Sequence, residues 1–376
     1  MAASKSASKK KIANFDFTLL FIIIFILAFG LVMLYSTSAY SATLKYSDST
    51  YYLKKQLLAA ILGFVAMFII SNLNYHLWQK LVFPIYLFSL GLCVAVFFIG
   101  STYNDSTRWI KIGGINFQPS ELAKIAVILF IAAFVANSPK FQRRFKNNVI
   151  TIAFILPFFV VVMVNNLSTA VIILGIAFMM VFISSTRFWG FVGLAGAGVG
   201  LIAIYVLVGA SYRSGRIDAW LNPEDYITGT GFQILQGLYA IGSGGLFGKG
   251  LGEGFQKYIV PEATNDMIFS IICEELGIFG AVCVILMYIL LLYRLLYIAN
   301  HARDTFGAFV CVGVMCHIAL QVVLNIAVVT NSIPNTGVTL PLISYGGSSL
   351  LMTMCEFGIT LNISKYMEFE DTDIDG

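Results

Sequence analysis

The stretch Val260-Pro261-Glu262-Ala263-Thr264-Asn265-Asp266-Met267-Ile268-Phe269-Ser270 joins a polar segment to a long apolar run. The polar part carries two carboxylates, Glu262 and Asp266, and the apolar run continues to Tyr297. Such a run is long enough to cross the hydrocarbon core of a bilayer as a helix, which takes about 20 residues. The junction therefore predicts a polar working surface at the start of a membrane helix.

The composition of the whole chain agrees with this prediction. Hydrophobic residues make up 59% of the 376 residues and charged residues only 11%. A chain with so few charges cannot present an ordinary polar surface to water on all sides. Because a helix satisfies its own backbone hydrogen bonds within lipid, the composition predicts an all-α integral membrane protein.

The apolar runs predict about ten transmembrane helices and one long extracellular segment, at about residues 209–266, between spans 7 and 8. The runs cover residues 17–34, 53–70, 77–99, 121–135, 149–164, 169–184, 188–208, 267–297, 306–329 and 342–363. We expect a single polytopic membrane domain over residues 15–365, between a basic tail, 1–14, and an acidic tail, 366–376. An even number of spans places both termini on one side of the membrane.

The distribution of Lys and Arg predicts the orientation. One side of the predicted topology holds the Lys-rich N-terminal tail and the loop with Lys140, Arg143, Arg144 and Lys146. By the positive-inside rule this side is cytoplasmic, so both termini are predicted to be cytoplasmic. The other side still carries cations in particular segments, and we expect these cations to meet an anion.

The cysteines and histidines give no indication of a metal centre. The six cysteines lie in or beside apolar runs, without a CxxC pair or a His at the spacing of metal ligands. We interpret the cysteines as small buried hydrophobic residues. His317 lies alone in an apolar run, and no metal ligands are assigned.

The second outer loop contains Arg108 and Trp109 and leads into a predicted helix start at Pro119-Ser120. Glu121 and Lys124 are three residues apart in this helix, so they share a face and can pair. The pair could tie two helices together, or it could line the polar cavity of a site, since ionisable residues inside a membrane are expensive.

The long outer segment adds more cations and a polar helix. Arg213 and Arg216 lie close to Trp220 in sequence, and the guanidinium group suits bidentate binding of phosphate, although both could be solvated loop charges. A short amphipathic helix over 232–239 carries Gln233. The glycine-rich stretch 241–252 lacks the spacing of a nucleotide-binding loop, so its glycines could instead let the backbone approach a ligand closely, with Lys249 as a point charge.

Asp266 has two interpretations. Asn265 or Thr264 could cap a helix that begins near Asp266, in which case the aspartate is a first-turn acid that stabilises the helix start. Alternatively, Asp266 is a functional carboxylate. The small-residue stretch 344–349 is similarly open, either to close packing between helices or to lining a cavity opposite Asp266.

The order of these motifs closely resembles the SEDS family (shape, elongation, division and sporulation) over about residues 15–365. The matching motifs are Arg108-Trp109, 117–124, 233–252, Pro261-Glu262-Ala263 with Asp266 and 268–270, 274–277, and 334–349. The resemblance implies a ten-helix enzyme that polymerises lipid II into glycan strands at the outer face of the bacterial cytoplasmic membrane. It also implies that Asp266 is the catalytic acid–base residue, that Glu121 and Lys124 face the same cavity, and that Arg108 and Trp109 match the family's extracellular motif.

The chain departs from the family pattern in two places. Thr264-Asn265 stands where many relatives have His-Thr before the key aspartate. The segment Asn165-Asn166-Leu167-Ser168-Thr169 stands where many relatives carry a carboxylate, so no role is assigned there.

The implied chemistry gives each residue a candidate role. Asp266 would accept the proton of the acceptor 4-hydroxyl, and a direct displacement would invert the donor carbon to give a β-1,4 bond. Four cations would contact the pyrophosphate: Arg213, Arg216, Lys249 and Lys257. We place Gln233, Glu262 and Ser344 in the same cavity.

The expected partners follow from the same resemblance. They are lipid II and undecaprenyl-linked nascent glycan, a class B penicillin-binding transpeptidase, and proteins of a division, sporulation or elongation complex. No nucleic acid and no soluble cofactor are implied, and a divalent cation, Mg²⁺ or Mn²⁺, is optional.

Two other functions stay open. A transporter that flips lipid II would use the same kind of polar cavity, although no internal repeat is evident. A non-catalytic scaffold of the cell-wall complex is the other alternative. The segment Phe29–Ser36 is closer to the division and sporulation branch than to the elongation branch.

Overall fold

The computed structural model describes residues 15–103, 106–112, 115–137, 145–185, 189–193, 196, 198, 200, 218, 220–225 and 230–368. The helices are α1 (Phe17–Tyr46), α2 (Tyr51–Asn72), α3 (His76–Lys80), α4 (Val82–Ile99), α5 (Pro119–Asn137), α6 (Phe145–Ala153), α7 (Leu156–Asn165), α8 (Leu167–Ser184), α9 (Thr230–Gly244), α10 (Ile268–Asn300), α11 (Thr305–Val329) and α12 (Gly347–Ser364). Three short strands are β1 (Ser101–Tyr103), β2 (Ser106–Ile112) and β3 (Ile115–Phe117).

The all-helical membrane class is confirmed. Within the described residues, 7 helices are long and apolar enough to cross a membrane, or up to 8 if a bent pair counts as one span. The bent pair, Lys146–Ala153 and Leu156–Asn165, turns by 42° where the sequence predicts a single span over 149–164. The span over 188–208 falls largely outside the described residues, so the number ten stays a prediction.

Helices α5 and α11 form the centre of the bundle. Both contact each other and also α8 and α12, and most of their residues are buried. By contrast, α2 and α4 bury only a few residues each and leave many large apolar side chains exposed, as expected for helices that face lipid. A helix that is buried on all sides can hold polar side chains away from lipid. Helices α5 and α11 carry buried polar side chains of this kind.

The connections gather at two ends of the bundle. At one end, here called the site end, the Trp220 indole donates to the Asn331 carbonyl at 2.9 Å and the Ser168 hydroxyl donates to the Thr336 carbonyl at 2.5 Å. At the opposite end, Arg294 pairs with Asp16 at 2.9 Å. The Asp16 amide donates to the Ser364 hydroxyl at 3.2 Å, so both described chain ends lie at this end.

The loop between α4 and α5 folds into a small antiparallel sheet in the order β1-β2-β3. Ile110 pairs with Phe117 in this sheet, and Thr102 pairs with Thr107. The sequence predicts an outer loop here and does not indicate the sheet, because strands this short leave little periodic pattern.

Helix α10 is broken at Gly277, where φ is 68° and ψ is −167°. The glycine-rich segment after α9 pairs with the break through main-chain bonds, since the Ile278 amide donates to the Gly245 carbonyl at 3.0 Å and the Gly250 amide donates to the Glu275 carbonyl at 3.0 Å. The first part of α10, residues 268–275, is entirely buried. The break therefore separates a buried half-helix, which starts next to Asp266, from a longer lipid-facing part.

Candidate active site

The chain before α10 is held by bonds to consecutive carbonyls. The Tyr345 amide donates to the Thr264 carbonyl at 2.9 Å, and the Ser344 hydroxyl donates to the Asn265 carbonyl at 2.6 Å. The Asn325 side-chain amide donates to the Asp266 carbonyl at 2.7 Å. Because these donors come from α11 and from the loop before α12, residues 264–266 are fixed by tertiary structure.

The Asp266 carboxylate faces inward, with only 6% of the residue exposed. The Gln233 amide, from α9, lies 3.3 Å from each carboxylate oxygen. Burial, followed by the negative charge of Glu262, raises the pKa of Asp266 from 3.8 to about 7. A carboxylate with a pKa near 7 is suited to accept a proton at neutral pH.

The predicted helix cap is wrong. Helix α10 begins at Ile268 with Met267 at the N-cap, and no side chain caps it. Asp266 therefore lies in the turn before the helix rather than in its first turn. Thr264 and Asn265 do not cap the helix, and their carbonyls accept hydrogen bonds from Tyr345 and Ser344. The alternative in which Asp266 is a first-turn acid does not apply.

Glu262 and Gly337 complete the immediate surroundings of Asp266. Glu262 is exposed and adopts a left-handed backbone conformation with φ of 56°, which is uncommon for a residue with a side chain. Its carboxylate accepts a hydrogen bond from the Asn265 side-chain amide. A Cβ atom built on Gly337 would lie 3.8 Å from Asp266 Oδ2, so the loop between α11 and α12 faces the carboxylate.

Lys249 and Lys257 pair with glutamates of the buried half-helix. Lys249 Nζ lies 2.7 Å from Glu274 Oε1, and Lys257 Nζ lies 2.9 Å from Glu275 Oε1. Both glutamates are fully buried, and the Ser36 hydroxyl lies 2.7 Å from both Glu275 oxygens. This pairing gives both lysines a structural role, and their assignment to the pyrophosphate stays a prediction that the geometry does not favour.

Glu121 and Lys124 form the predicted pair inside α5. Glu121 Oε2 and Lys124 Nζ lie 2.9 Å apart, and both side chains are buried. His317 and Ser349 are close enough to interact with Glu121. A second buried pair adjoins them, with His317 Nδ1 2.8 Å from Glu356 Oε2.

Arg108 lines a small cavity, together with Ser120 of α5, Asn165 at the end of α7 and Asn166 before α8. Asn166 caps α8 by accepting a hydrogen bond from the Thr169 amide at 3.1 Å. Trp109 is half-buried in β2, and its carbonyl accepts a hydrogen bond from the Ser101 hydroxyl. The structure thus places Arg108 and Trp109 in strand β2 of the small sheet.

Two of the predicted cations, Arg213 and Arg216, lie outside the described residues. Within the described part of the chain, no group of three or more His, Cys, Asp or Glu side chains could hold a metal ion. The carboxylates of Glu262 and Asp266 are too few for a protein-built cation cage. The optional divalent cation stays a prediction.

Sequence reasoning missed the partners of two polar residues of α11. Asn325 contacts the Asp266 backbone, and His317, which stands alone in the sequence, pairs with Glu356. The available signal was their position in an apolar run, because polar side chains inside a membrane bundle usually have a specific partner. The sequence does not reveal which partner each one finds.

Comparisons with known proteins agree with the motifs. The family model for FtsW, RodA and SpoVE, described as "Cell cycle protein", matches residues 17–368. Stage V sporulation protein E of Bacillus subtilis (strain 168) is 41% identical over 365 residues, which cover 94% of this chain and 98% of that protein. The probable peptidoglycan glycosyltransferase FtsW of Geobacter sp. (strain M18) is 37% identical over 367 residues, which cover 95% of this chain and 99% of that protein.

A solved structure supports the same relationship. One chain of the structure described as "Structural coordination of polymerization and crosslinking by a peptidoglycan synthase complex" superposes with a TM-score of 0.79 at 28% identity, covering 93% of this chain and 98% of that chain. The resemblance inferred from the motifs is confirmed over nearly the full length. The chain belongs to the FtsW, RodA and SpoVE family of cell cycle proteins.

Proposed function

We propose that this protein is a peptidoglycan glycosyltransferase that polymerises lipid II into β-1,4 glycan strands at the outer face of the bacterial cytoplasmic membrane, with Asp266 as the general base. The observation that carries the proposal is the buried Asp266 carboxylate, with a pKa raised to about 7 and its backbone fixed by neighbouring elements. The name of the Geobacter relative, a probable peptidoglycan glycosyltransferase, supports the reaction class.

The proposed step is a direct displacement. The 4-hydroxyl oxygen of the acceptor sugar attacks the anomeric carbon of the donor, and the bond to the undecaprenyl pyrophosphate breaks, with its electron pair leaving on the pyrophosphate. Asp266 takes the hydroxyl proton, a contribution of typically 10² to 10⁴ in rate. A single displacement inverts the α-linked donor carbon.

The same proposal assigns supporting roles to other residues. Gln233 orients the carboxylate through its amide, and Ser344 holds the preceding carbonyl. Glu262 keeps the pKa of Asp266 high through its charge. We assign Arg213 and Arg216 to the pyrophosphate, because the two lysines have glutamate partners. A class B penicillin-binding transpeptidase is the proposed partner, and both termini are proposed to be cytoplasmic.

The test is glycan polymerisation from purified lipid II, with and without a cognate transpeptidase. We expect wild-type protein to make polymer and Asp266→Asn to lose at least 10²-fold in rate. The matched control is Glu253→Gln, which neutralises an exposed carboxylate of the same outer segment and should keep wild-type activity. Wild-type activity in Asp266→Asn would exclude Asp266 as the base.

Transport of lipid II is the second candidate, because charged pairs such as Lys124 with Glu121 lie inside membrane helices. Assays of the same protein in liposomes distinguish polymerisation from transport of lipid II. If wild-type protein forms no polymer with its partner present but moves lipid II between leaflets, the transporter replaces the polymerase.

A further inference from the structure

Asn325 lies near the end of α11, and the residue is 0% exposed. Its side-chain nitrogen donates to two carbonyls, those of Asp266 and Val338, each at 2.7 Å. One belongs to the turn before α10 and the other to the loop between α11 and α12. A single side chain therefore joins the two segments that face each other across the Asp266 carboxylate.

We propose that Asn325 is a positioning residue, whose amide sets the separation between Asp266 and the loop at Gly337 and Val338 and so fixes the carboxylate at the reacting distance. The inference rests on the proposed function for its catalytic meaning, and it deepens that function by naming a residue that acts through Asp266.

The chemistry of the site selects an asparagine at this position. Two carbonyl acceptors require two N–H donors from one point, and the carboxamide nitrogen supplies two. A serine offers one donor, and an ionised aspartate offers none. The Asn325 oxygen has no hydrogen-bond partner in the described part of the chain. The hydrogen bonds of this side chain are therefore the two that its nitrogen donates to the carbonyls.

The neighbouring contacts explain why the bridge that Asn325 forms between the Asp266 and Val338 carbonyls matters for the position of the carboxylate. Ser344 and Tyr345 hold the carbonyls of Asn265 and Thr264, but the carbonyl of Asp266 itself is held by Asn325. A hydrogen atom is the only side chain on Gly337, beside Asp266 Oδ2. Loss of the bridge would let the two segments move apart and let water reach the carboxylate.

The main test is the kinetics of Asn325→Ala. We expect kcat for polymerisation to fall about 10- to 100-fold, with KM for lipid II within about threefold of wild type, because the reacting geometry is lost but the binding surface is kept. The matched control is Asn362→Ala. Asn362 is also a buried amide that bridges backbone groups, those of Ser71 and Tyr75, but it lies at the opposite end of the bundle.

A second measurement separates positioning from mere stability. Burial is the main reason for the raised pKa of Asp266. In Asn325→Ala we therefore expect the midpoint of the pH–rate profile to move down by roughly one pH unit as water enters. Asn362→Ala should lower thermal stability to a similar degree and leave the midpoint unchanged.

The midpoint can also be followed without turnover. For this, the melting temperature of each protein is compared with that of the same protein carrying the Asp266→Asn substitution, as a function of pH. These melting temperatures test the positioning role of Asn325 even if wild-type protein forms no polymer. A lack of polymer would reject the proposed function alone. Equal kcat in the Asn325→Ala and Asn362→Ala variants, or an unmoved Asp266 midpoint in Asn325→Ala, overturns the positioning role.

Discussion

At the scale of single residues, the raised pKa that suits Asp266 to accept a proton also lowers the stability of the folded protein. Its pKa of about 7 in the folded chain lies above the ordinary 3.8, so the folded state binds the proton more tightly than the unfolded state. Stability therefore falls as pH rises from about 4 to 7 and is level above that range. The full effect corresponds to about 4 kcal/mol.

The difference between the pKa of Asp266 in the folded and unfolded states predicts a stabilising substitution. Asp266→Asn keeps the shape of the side chain and removes the charge, so we expect a higher melting temperature than wild type at pH 8 and almost no difference at pH 4. The measurement is thermal unfolding in detergent at both pH values. Glu253→Gln serves as the control, and an equal gain at pH 4 and pH 8 would contradict burial of the Asp266 charge.

The buried charge of Lys257 leads to a second prediction. Its ammonium group lies 2.9 Å from Glu275 and also donates to the Gly252 carbonyl at 2.5 Å. We expect Lys257→Met to destabilise the protein by about 3–5 kcal/mol, because it leaves a buried carboxylate without its counter-charge.

The double variant provides the control for this pair. Lys257→Met combined with Glu275→Gln should recover much of the lost stability, since no uncompensated charge remains. The measurement is a double-mutant cycle of melting temperatures. Additive losses in the double variant would show that Lys257 does not act through Glu275.

Single residues also show how far sequence reasoning reaches. Spacing is enough to pair Glu121 with Lys124, because residues three apart in a helix are neighbours whatever the fold. The bond between Asn325 and Asp266 joins residues 59 positions apart, and only the packing of α10 against α11 creates it. For the same reason the sequence assigns Lys249 and Lys257 to a ligand and does not reveal that these lysines pair with Glu274 and Glu275.

At the scale of elements, the break in α10 organises the site end. The apolar run that starts at Met267 gives no sign of an interruption, because glycine is a common residue in membrane helices. The structure shows why glycine is needed at position 277. A Cβ on Gly277 would lie 2.4 Å from the Leu246 carbonyl oxygen and 2.4 Å from the Gly248 nitrogen, and the positive φ is itself unfavourable for other residues.

We therefore expect Gly277→Ala to misfold or to lose polymerase activity, because the glycine-rich segment can no longer pack against the break. The matched control is Gly242→Ala near the end of α9, where a Cβ meets no atom within 4 Å. The measurements are the yield of monodisperse protein and the polymerisation rate. Normal activity in Gly277→Ala would mean that the break is not required for the site.

At the scale of the whole molecule, hydropathy predicts the membrane class because the bilayer acts on every span in the same way. The sequence also predicts a span over 342–363, but among the described helices α12 (Gly347–Ser364) is not one of those apolar enough to cross a membrane by length and composition alone. Its polar residues, such as Glu356 and Asn362, are buried against other helices, so tertiary contacts replace lipid as their environment. Loop structure is also out of reach, since the sheet over β1 to β3 depends on contacts with α4, α5 and α7.

The two ends of the bundle give the last prediction, which concerns orientation. The N-terminal end of α1 and the C-terminal end of α12 share one end through the bond between Asp16 and Ser364, and that end carries Arg294, Arg303 and Lys365. The positive-inside rule predicts that this end is cytoplasmic, and we therefore expect Asp266 to lie on the outer side.

Cysteine labelling tests this orientation. Lys45→Cys places a thiol at the site end of α1, and Arg303→Cys places one in the exposed connection between α10 and α11 at the opposite end. With a membrane-impermeant thiol reagent, we expect labelling of Lys45→Cys in intact cells and labelling of Arg303→Cys only after permeabilisation. Wild-type protein provides the background, since its cysteines are buried or half-buried. The reverse pattern would place Asp266 in the cytoplasm, where it could not polymerise lipid II at the outer face, and it would reject the proposed function together with the topology.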